Sequence, residues 1–321
     1  MASRQSNSER YKDLNLEFES AICYSGYRAG QSPDNQIYPS YGEIKEDLMI
    51  LQGRWKYLRL YDCGPHASLV LEVIRKEKLD FKLMLGAYIS AEVNNPDCPW
   101  GGGVYSEDEL ALKRKQNLKE VKRLIHFANA YPDIIFALSV GNEATVHWTD
   151  HLVPVEKVIE YAEMVKRETK QPVSFCENYV PWLDKLAPLV EVLDFISIHT
   201  YPVWEYKTID EAMDYTKENF YSVANKYPDK PIMITEAGWT TNSNGRGIHS
   251  HNVNETLQEV YCNELMKWSE EEGIITFLFE AFDEPWKGSG DVMEPEKHWG
   301  IFKEDRSPKK VVRGLFPELV K

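Results

Sequence analysis

Short apolar runs alternate with longer amphipathic stretches along the whole chain. The runs cover residues 18–24, 55–61, 81–87, 134–140, 172–176, 193–198, 231–235 and 274–279. Each is apolar through its middle rather than alternating, the pattern of parallel strands covered on both faces. Between the runs, apolar positions recur at helical spacing. Leu118, Val121, Ile125 and Ala128 form one stripe of such a segment, and its other face is rich in Lys and Glu. Ser40, Ser106 and Thr208 stand three positions before Glu43, Glu109 and Glu211, the capping-box signature of a helix start. Pro154, Pro181 and Asn252 mark further starts.

Eight strand-then-helix units predict an α/β fold of the (β/α)8 barrel type, a single domain over residues 15–321. The competing doubly wound sheet calls for a Gly-rich phosphate loop after its first strand. Here that position reads YSGYRAG (residues 24–30), which is not GxGxxG, and no dinucleotide signal appears elsewhere. Three glycines at 101–103 sit in a long loop and read as a turn rather than a phosphate cradle. Residues 1–14 are polar and are expected to lack ordered structure.

Composition narrows the function classes. Lys plus Arg number 37 and Asp plus Glu 51, so the net charge is 37 − 51 = −14, which disfavours nucleic-acid backbones as partners. No apolar run reaches the ~18 residues of a membrane-spanning helix, and the first ten residues lack a signal peptide's apolar stretch. The five cysteines (23, 63, 98, 176 and 262) form no CxxC, which argues against a structural zinc site. They read as buried thiols, with a Cys63–Cys98 bridge left open because both follow strands. Nine Trp and eighteen Tyr suit a sugar cleft, but cores use the same residues.

The chemistry of a barrel collects at the C-terminal ends of its strands. Glu143 closes the fourth run and Glu236 the seventh. In a ring of eight these ends can face each other across the mouth. Two facing carboxyls are what glycoside hydrolysis requires, one to protonate the leaving oxygen and one to attack the anomeric carbon. Other polar or aromatic strand ends are Tyr24, Arg59 to Asp62, Asn142, His199 to Tyr201, Trp239, and the stretch from Glu280 to Lys287.

These motifs resemble the clan A glycoside hydrolases, and in detail glycoside hydrolase family 17, the β-1,3-glucanases. The resemblance rests on VGNE (140–143), ITEAGW (234–239) and FEAFDEPWK (279–287), with CYSGYRAGQ (23–31) and RLY (59–61) similar to bacterial members. It spans roughly residues 18–302. It implies that Glu143 is the acid/base, Glu236 the nucleophile, and that Asn142 holds the sugar's 2-hydroxyl. Tyr201 sits where clan members place a tyrosine beside the nucleophile. Glu284 and Lys287 match an acid and a lysine of the eighth-strand motif, with Glu280 as a buried, paired supporting acid. Plant members carry Asn-Gln where this chain has Pro285-Trp286, which bears on subsite contacts rather than on the chemistry.

Tyr24, Tyr61, Trp239, Trp286 and Trp299 complete the set of substrate-binding candidates, the tryptophans as stacking platforms. His199 is equally readable as a core residue, and His147 and Trp148 could border the leaving-group side. The activity implied is retaining hydrolysis of laminarin-type β-1,3-glucans without metal or organic cofactor, endo mode preferred. Exo-acting hydrolysis and glucanosyl transfer stay open, as does where the 91–108 loop folds. A non-catalytic glucan-binding barrel is the alternative of another class, against which the retention of both Glu143 and Glu236 argues. No protein partner is implied. Secretion to the cell exterior, periplasm or surface is inferred from the size of a polymeric substrate.

Overall fold

The computed structural model describes residues 7–320. Its eight strands are β1 Ala21–Cys23, β2 Tyr57–Leu60, β3 Lys82–Ala87, β4 Ile135–Asn142, β5 Val173–Asn178, β6 Ile196–His199, β7 Ile232–Ala237 and β8 Thr276–Leu278. They close a barrel in sequence order, every neighbouring pair parallel and β8 returning to β1. The chain is thus a (β/α)8 barrel. The eight apolar runs correspond to the eight strands, trimmed at most ends because only part of each run finds a ladder partner. β4, β5, β6 and β7 instead run on beyond their apolar stretches, to Asn142, Asn178, His199 and Ala237.

Helices cover the outside. Ser40, Ser106 and Thr208 each form a reciprocal capping box with the Glu three positions on. In the helix Glu107–Ala130, Val121, Ile125 and Ala128 are buried and Leu118 is half-buried. Two expected starts move. Asn252 lies in the 3-10 turn Ser250–Asn252, and the following helix is capped by Asn254, whose side chain accepts from Leu257 N. Pro181 falls inside the short helix Tyr179–Trp182, capped by Asn178.

The N-terminal segment corrects the expectation of disorder. Residues 1–6 lie outside the described residues, but Asn7–Asp13 is a helix. Tyr11 is fully buried, and its hydroxyl donates to Ile232 O (2.5 Å) and accepts from Ile275 N (3.2 Å). One aromatic anchor at the starts of β7 and the β8 segment thus orders an otherwise polar stretch. The Cys63–Cys98 bridge is not formed: Cys63 Sγ donates to Gly86 O and Cys98 Sγ to Trp148 O. No helix among the described residues is long and apolar enough to cross a membrane.

Candidate active site

Glu143 owes its position to the glycine two residues before it. Gly141 has φ +98°, and a Cβ there would lie 2.8 Å from Ile89 Cδ1 and 2.9 Å from Phe175 Cε2. Only glycine takes this conformation freely in that space. The β4–β5 register shifts between Ser139 and Asn142, and such a bulge re-aims the side chains that follow it. Asn142 and Glu143 therefore turn into the mouth. Glu143 itself has φ +44°, and its N–H donates to Cys176 O on β5 (2.9 Å).

Glu236 arrives from β7, also beside register shifts against both neighbours. Gly238 follows it because a Cβ there would collide with the Phe279 carbonyl. Three side chains hold the Glu236 carboxylate. Arg59 Nη1 donates to Oε1 (2.5 Å), Tyr201 Oη donates to Oε2 (2.5 Å), and His199 Nδ1 lies 3.4 Å from Oε2. Burial opposes its ionisation, but the charges of His199 and Arg59 and the Tyr201 hydroxyl outweigh it and bring the carboxyl down to about 2. Glu236 is therefore an anion at neutral pH.

His199 links the two acids. The same Nδ1 lies 2.8 Å from Glu143 Oε1, and the ring also meets the Cys176 thiol. Burial disfavours its charge, yet Glu236, Cys176 and Glu143 together push the imidazole up to about 10. Arg59 is the second link: its Nη2 donates to Asn142 Oδ1 (2.5 Å) while Nη1 serves Glu236. With Oδ1 engaged, the Asn142 amide nitrogen is the group left for a ligand. A carboxylate oxygen of Glu143, one of Glu236 and a ring nitrogen of His199 all lie within 4.8 Å of one another. This trio has the composition of a metal site, but the Arg59 guanidinium and the cationic His199 already neutralise it. A metal ion would have to displace a proton and face a guanidinium.

Arg59 and His199 stand among the polar strand ends read from the sequence, but outside the expected catalytic and substrate-binding set. An arginine within an apolar strand run and a histidine closing β6 are the signals that point to them.

The β8 side of the mouth carries a second ionic group. Lys287 pairs with Glu280 Oε2 (2.9 Å) and with Glu284; Ser25 donates to Glu284, as does Trp286 Nε1 (2.9 Å). Burial, then the charge of Glu284, holds Glu280 well above the usual carboxylate range. Glu284 is lowered despite its burial, because Lys287, Glu280 and Ser25 all favour its anion. The expected partnership of Glu280, Glu284 and Lys287 is thus present as one asymmetric network.

Several candidates are placed elsewhere. Tyr24 is buried, with its hydroxyl donating to Asp47 (3.1 Å), and belongs to the core. Tyr61 is half-buried under the Arg59 guanidinium, 4.3 Å from its ring centre. Trp239 (0% exposed) donates Nε1 to Asn252 O, and Trp299 (1%) packs on Tyr201 with ring centres 5.0 Å apart. Neither offers a face to a sugar, which corrects the expectation of stacking platforms at these positions. Burial of a loop tryptophan depends on loops far away in sequence. Of the three, Trp286 alone keeps partial exposure.

The exposed tryptophan of the mouth is Trp100 (51%). The β3 loop is knitted to the β4 loop: Asn95 Nδ2 donates to His147 O and Thr149 O, Tyr105 Oη to Asp150 O, and the three glycines at 101–103 all take positive φ. Trp100 then reaches the far side. Its ring lies 6.2 Å from Trp204 on the β6 loop, and Arg246 from the β7 loop stacks on it at 5.0 Å. The 91–108 loop therefore spans the Glu143 side of the mouth, and His147 and Trp148 buttress it through their backbone carbonyls.

The family model of the BtgE/BtgC glycoside hydrolase domain matches residues 21–300. The chain is 25% identical to a glucan 1,3-beta-glucosidase of Arthroderma benhamiae over 88% of each chain. It is 26% identical to the putative glucan endo-1,3-beta-glucosidase btgC of Aspergillus niger over 87% of this chain but 41% of that protein, so it spans under half of this longer relative. Among solved structures it resembles an endo-laminarinase from Formosa Hel1_33_131, with TM-score 0.79 and 28% identity over 99% of this chain and 89% of that one. The chain belongs to the BtgE/BtgC glycoside hydrolase family.

Proposed function

We propose that the protein is a retaining β-1,3-glucan hydrolase acting on laminarin-type glucans, with Glu236 as nucleophile and Glu143 as acid/base. The observation that carries this reading is the approach of the two carboxylates to within 4.8 Å in unequal surroundings. Inverting enzymes keep their carboxyls about 6.5–9.5 Å apart to admit a water, whereas retaining enzymes hold them at about 5–5.5 Å. Glu236 is held as an anion by two cations and a hydroxyl. Glu143 receives one imidazolium hydrogen bond at Oε1, which leaves its other oxygen for a proton in transit.

In the first step a Glu236 oxygen bonds to the anomeric carbon as the glycosidic bond breaks, and the Glu143 proton passes to the departing oxygen. In the second, Glu143 takes a proton from water, whose oxygen displaces Glu236 and restores the original configuration. Asn142, oriented by Arg59, is placed to hold the 2-hydroxyl of the reacting sugar. Trp286 borders the glycone side, and Trp100 with Trp204 the leaving-group side.

Endo action is the preferred mode, in line with the similarity to the endo-laminarinase from Formosa. Exo hydrolysis and glucanosyl transfer use the same two carboxylates and differ in cleft length and acceptor. Action outside the cytoplasm follows from the size of the polymer. The similarity of the motifs to bacterial members is a proposal from sequence; the curated relatives named above are fungal. A product profile over time on laminarin and on defined β-1,3-oligosaccharides tests the whole reading. Early mid-length products indicate endo cleavage, and absence of any new reducing ends on either substrate refutes hydrolysis.

A further inference from the structure

Glu143 is one of six non-glycine residues at positive φ among the described residues, and it carries a functional side chain there. Such a conformation is disfavoured for any residue with a Cβ and persists only where the surroundings enforce it. The enforcing contacts converge two residues later, on Thr145, which is 1% exposed. Its N–H and its hydroxyl both donate to Glu177 Oε2, at 2.9 and 2.7 Å. Its carbonyl accepts from Lys185 Nζ at 2.6 Å. Between the two, Ala144 O accepts from Val153 N at 2.8 Å. Neither the N–H nor the carbonyl of Thr145 depends on a sheet or helix partner for these bonds; side chains from β5 and from the segment after it supply them.

We infer that Glu177 is a positioning residue for the acid/base: with Lys185 it clamps the peptide after Ala144 and so fixes the left-handed turn on which Glu143 stands. This rests on the reading of Glu143 given above. Glu177 is fully buried at the end of β5, where it has no ligand to bind and no direct bond to Glu143. Its other oxygen accepts from Asn178 N at 2.8 Å, so three donors converge on one carboxylate. A fully buried acid with three local donors and no cation bonded to it is costly to maintain for fold alone. Burial, followed by the charge of Glu143, raises its proton affinity to about 7, so the two acids also sense each other electrostatically. The bulge at Gly141 turns the chain into the mouth; the clamp sets how far Glu143 then extends toward the leaving oxygen.

Displacing an acid/base has a kinetic signature that loss of folding or of binding lacks. Cleavage of a natural glycosidic bond needs the proton, whereas release of dinitrophenolate does not. Glu177→Gln keeps the volume but sets an NH2 group against the Asn178 N–H in one amide orientation and against the Thr145 N–H and hydroxyl in the other. In this variant kcat on laminarihexaose should fall roughly 10- to 100-fold with KM little changed, the size expected for an acid displaced by about 1 Å. The pre-steady-state burst on a dinitrophenyl β-laminaribioside should keep its rate, and azide should accelerate turnover. Lys185→Met, at an exposed position, should show the same pattern more weakly. It serves as the readout if Glu177→Gln does not fold.

Glu143→Gln is the control. If it shows the signature and neither clamp variant does, the clamp is refuted while the catalytic reading stands. If Glu143→Gln itself lacks the signature, the assignment of the acid falls, and the clamp with it.

Discussion

His199 Nδ1 lies 2.8 Å from Glu143 Oε1, so the proposed acid/base is tethered to a cation that also touches the nucleophile. Placing the charge between two acids lets them approach without mutual repulsion dominating the site. The imidazole is pushed up to about 10, against its burial, by Glu236, Cys176 and Glu143. Because this pKa is raised on folding, its contribution to stability is complete below about pH 6.5 and is lost as pH rises through 10. The melting-temperature gap between wild type and His199→Gln should therefore be widest at acid pH and close towards pH 10. A gap independent of pH would show that the histidine is uncharged in the native protein.

Glu236 has the opposite sign. Its pKa is lowered to about 2, so the anion survives until the pH falls toward that value. In wild type, the acid limb of kcat/KM should not begin above about pH 3 through this group. Tyr201→Phe removes one donor to the carboxylate and should move that limb to higher pH, with a drop in rate at neutral pH of roughly 10-fold from the lost hydrogen bond. A pH profile on an aryl laminaribioside decides it. An unmoved limb would mean that Tyr201 serves the substrate rather than the carboxylate.

Glu236→Ala should abolish turnover of laminarin while leaving oligosaccharide binding by calorimetry close to wild type. No neighbouring group is free to take its place, since Glu280 and Glu284 are both tied to Lys287. Azide should restore slow turnover of an activated aryl glycoside and yield an α-glycosyl azide. Retained laminarin activity without azide would reassign the nucleophile.

Trp100→Ala tests the span across the leaving-group side. Loss of an aromatic face should raise KM for laminarihexaose by about 10-fold. Hydrolysis of β-laminaribiosyl fluoride, which has no leaving sugar, should be unaffected. Equal losses on both substrates would mean that the tryptophan supports the fold of the mouth. Trp239→Phe is predicted to differ: it should lower the melting temperature through the lost bond to Asn252 O, with KM for both substrates near wild type.

The barrel and its two acids are legible in the chain because both are written locally. A parallel strand buried on both faces needs an unbroken apolar run, and eight such runs correspond to the eight strands of the ring. A capping box is complete within four residues, so Ser40, Ser106 and Thr208 announce their helices without help from the rest of the fold. Glu143 and Glu236 can be picked out because each sits where an apolar run stops.

What the linear pattern leaves undecided depends on groups brought together from far apart. Arg59 reaches Glu236 across 177 positions of sequence; its place inside an apolar run signals burial, but nothing local says which carboxylate it will meet. His199 is equally readable as a core histidine until the carboxylates of Glu143, after β4, and Glu236, on β7, converge on its ring. Whether a loop tryptophan is platform or core is set by which other loops cover it: Trp239 and Trp299 are enclosed, while Trp100, in a loop that sequence cannot route, stands exposed. Burial and charge pairing are properties of neighbourhoods in space, and only closure of the barrel creates those neighbourhoods.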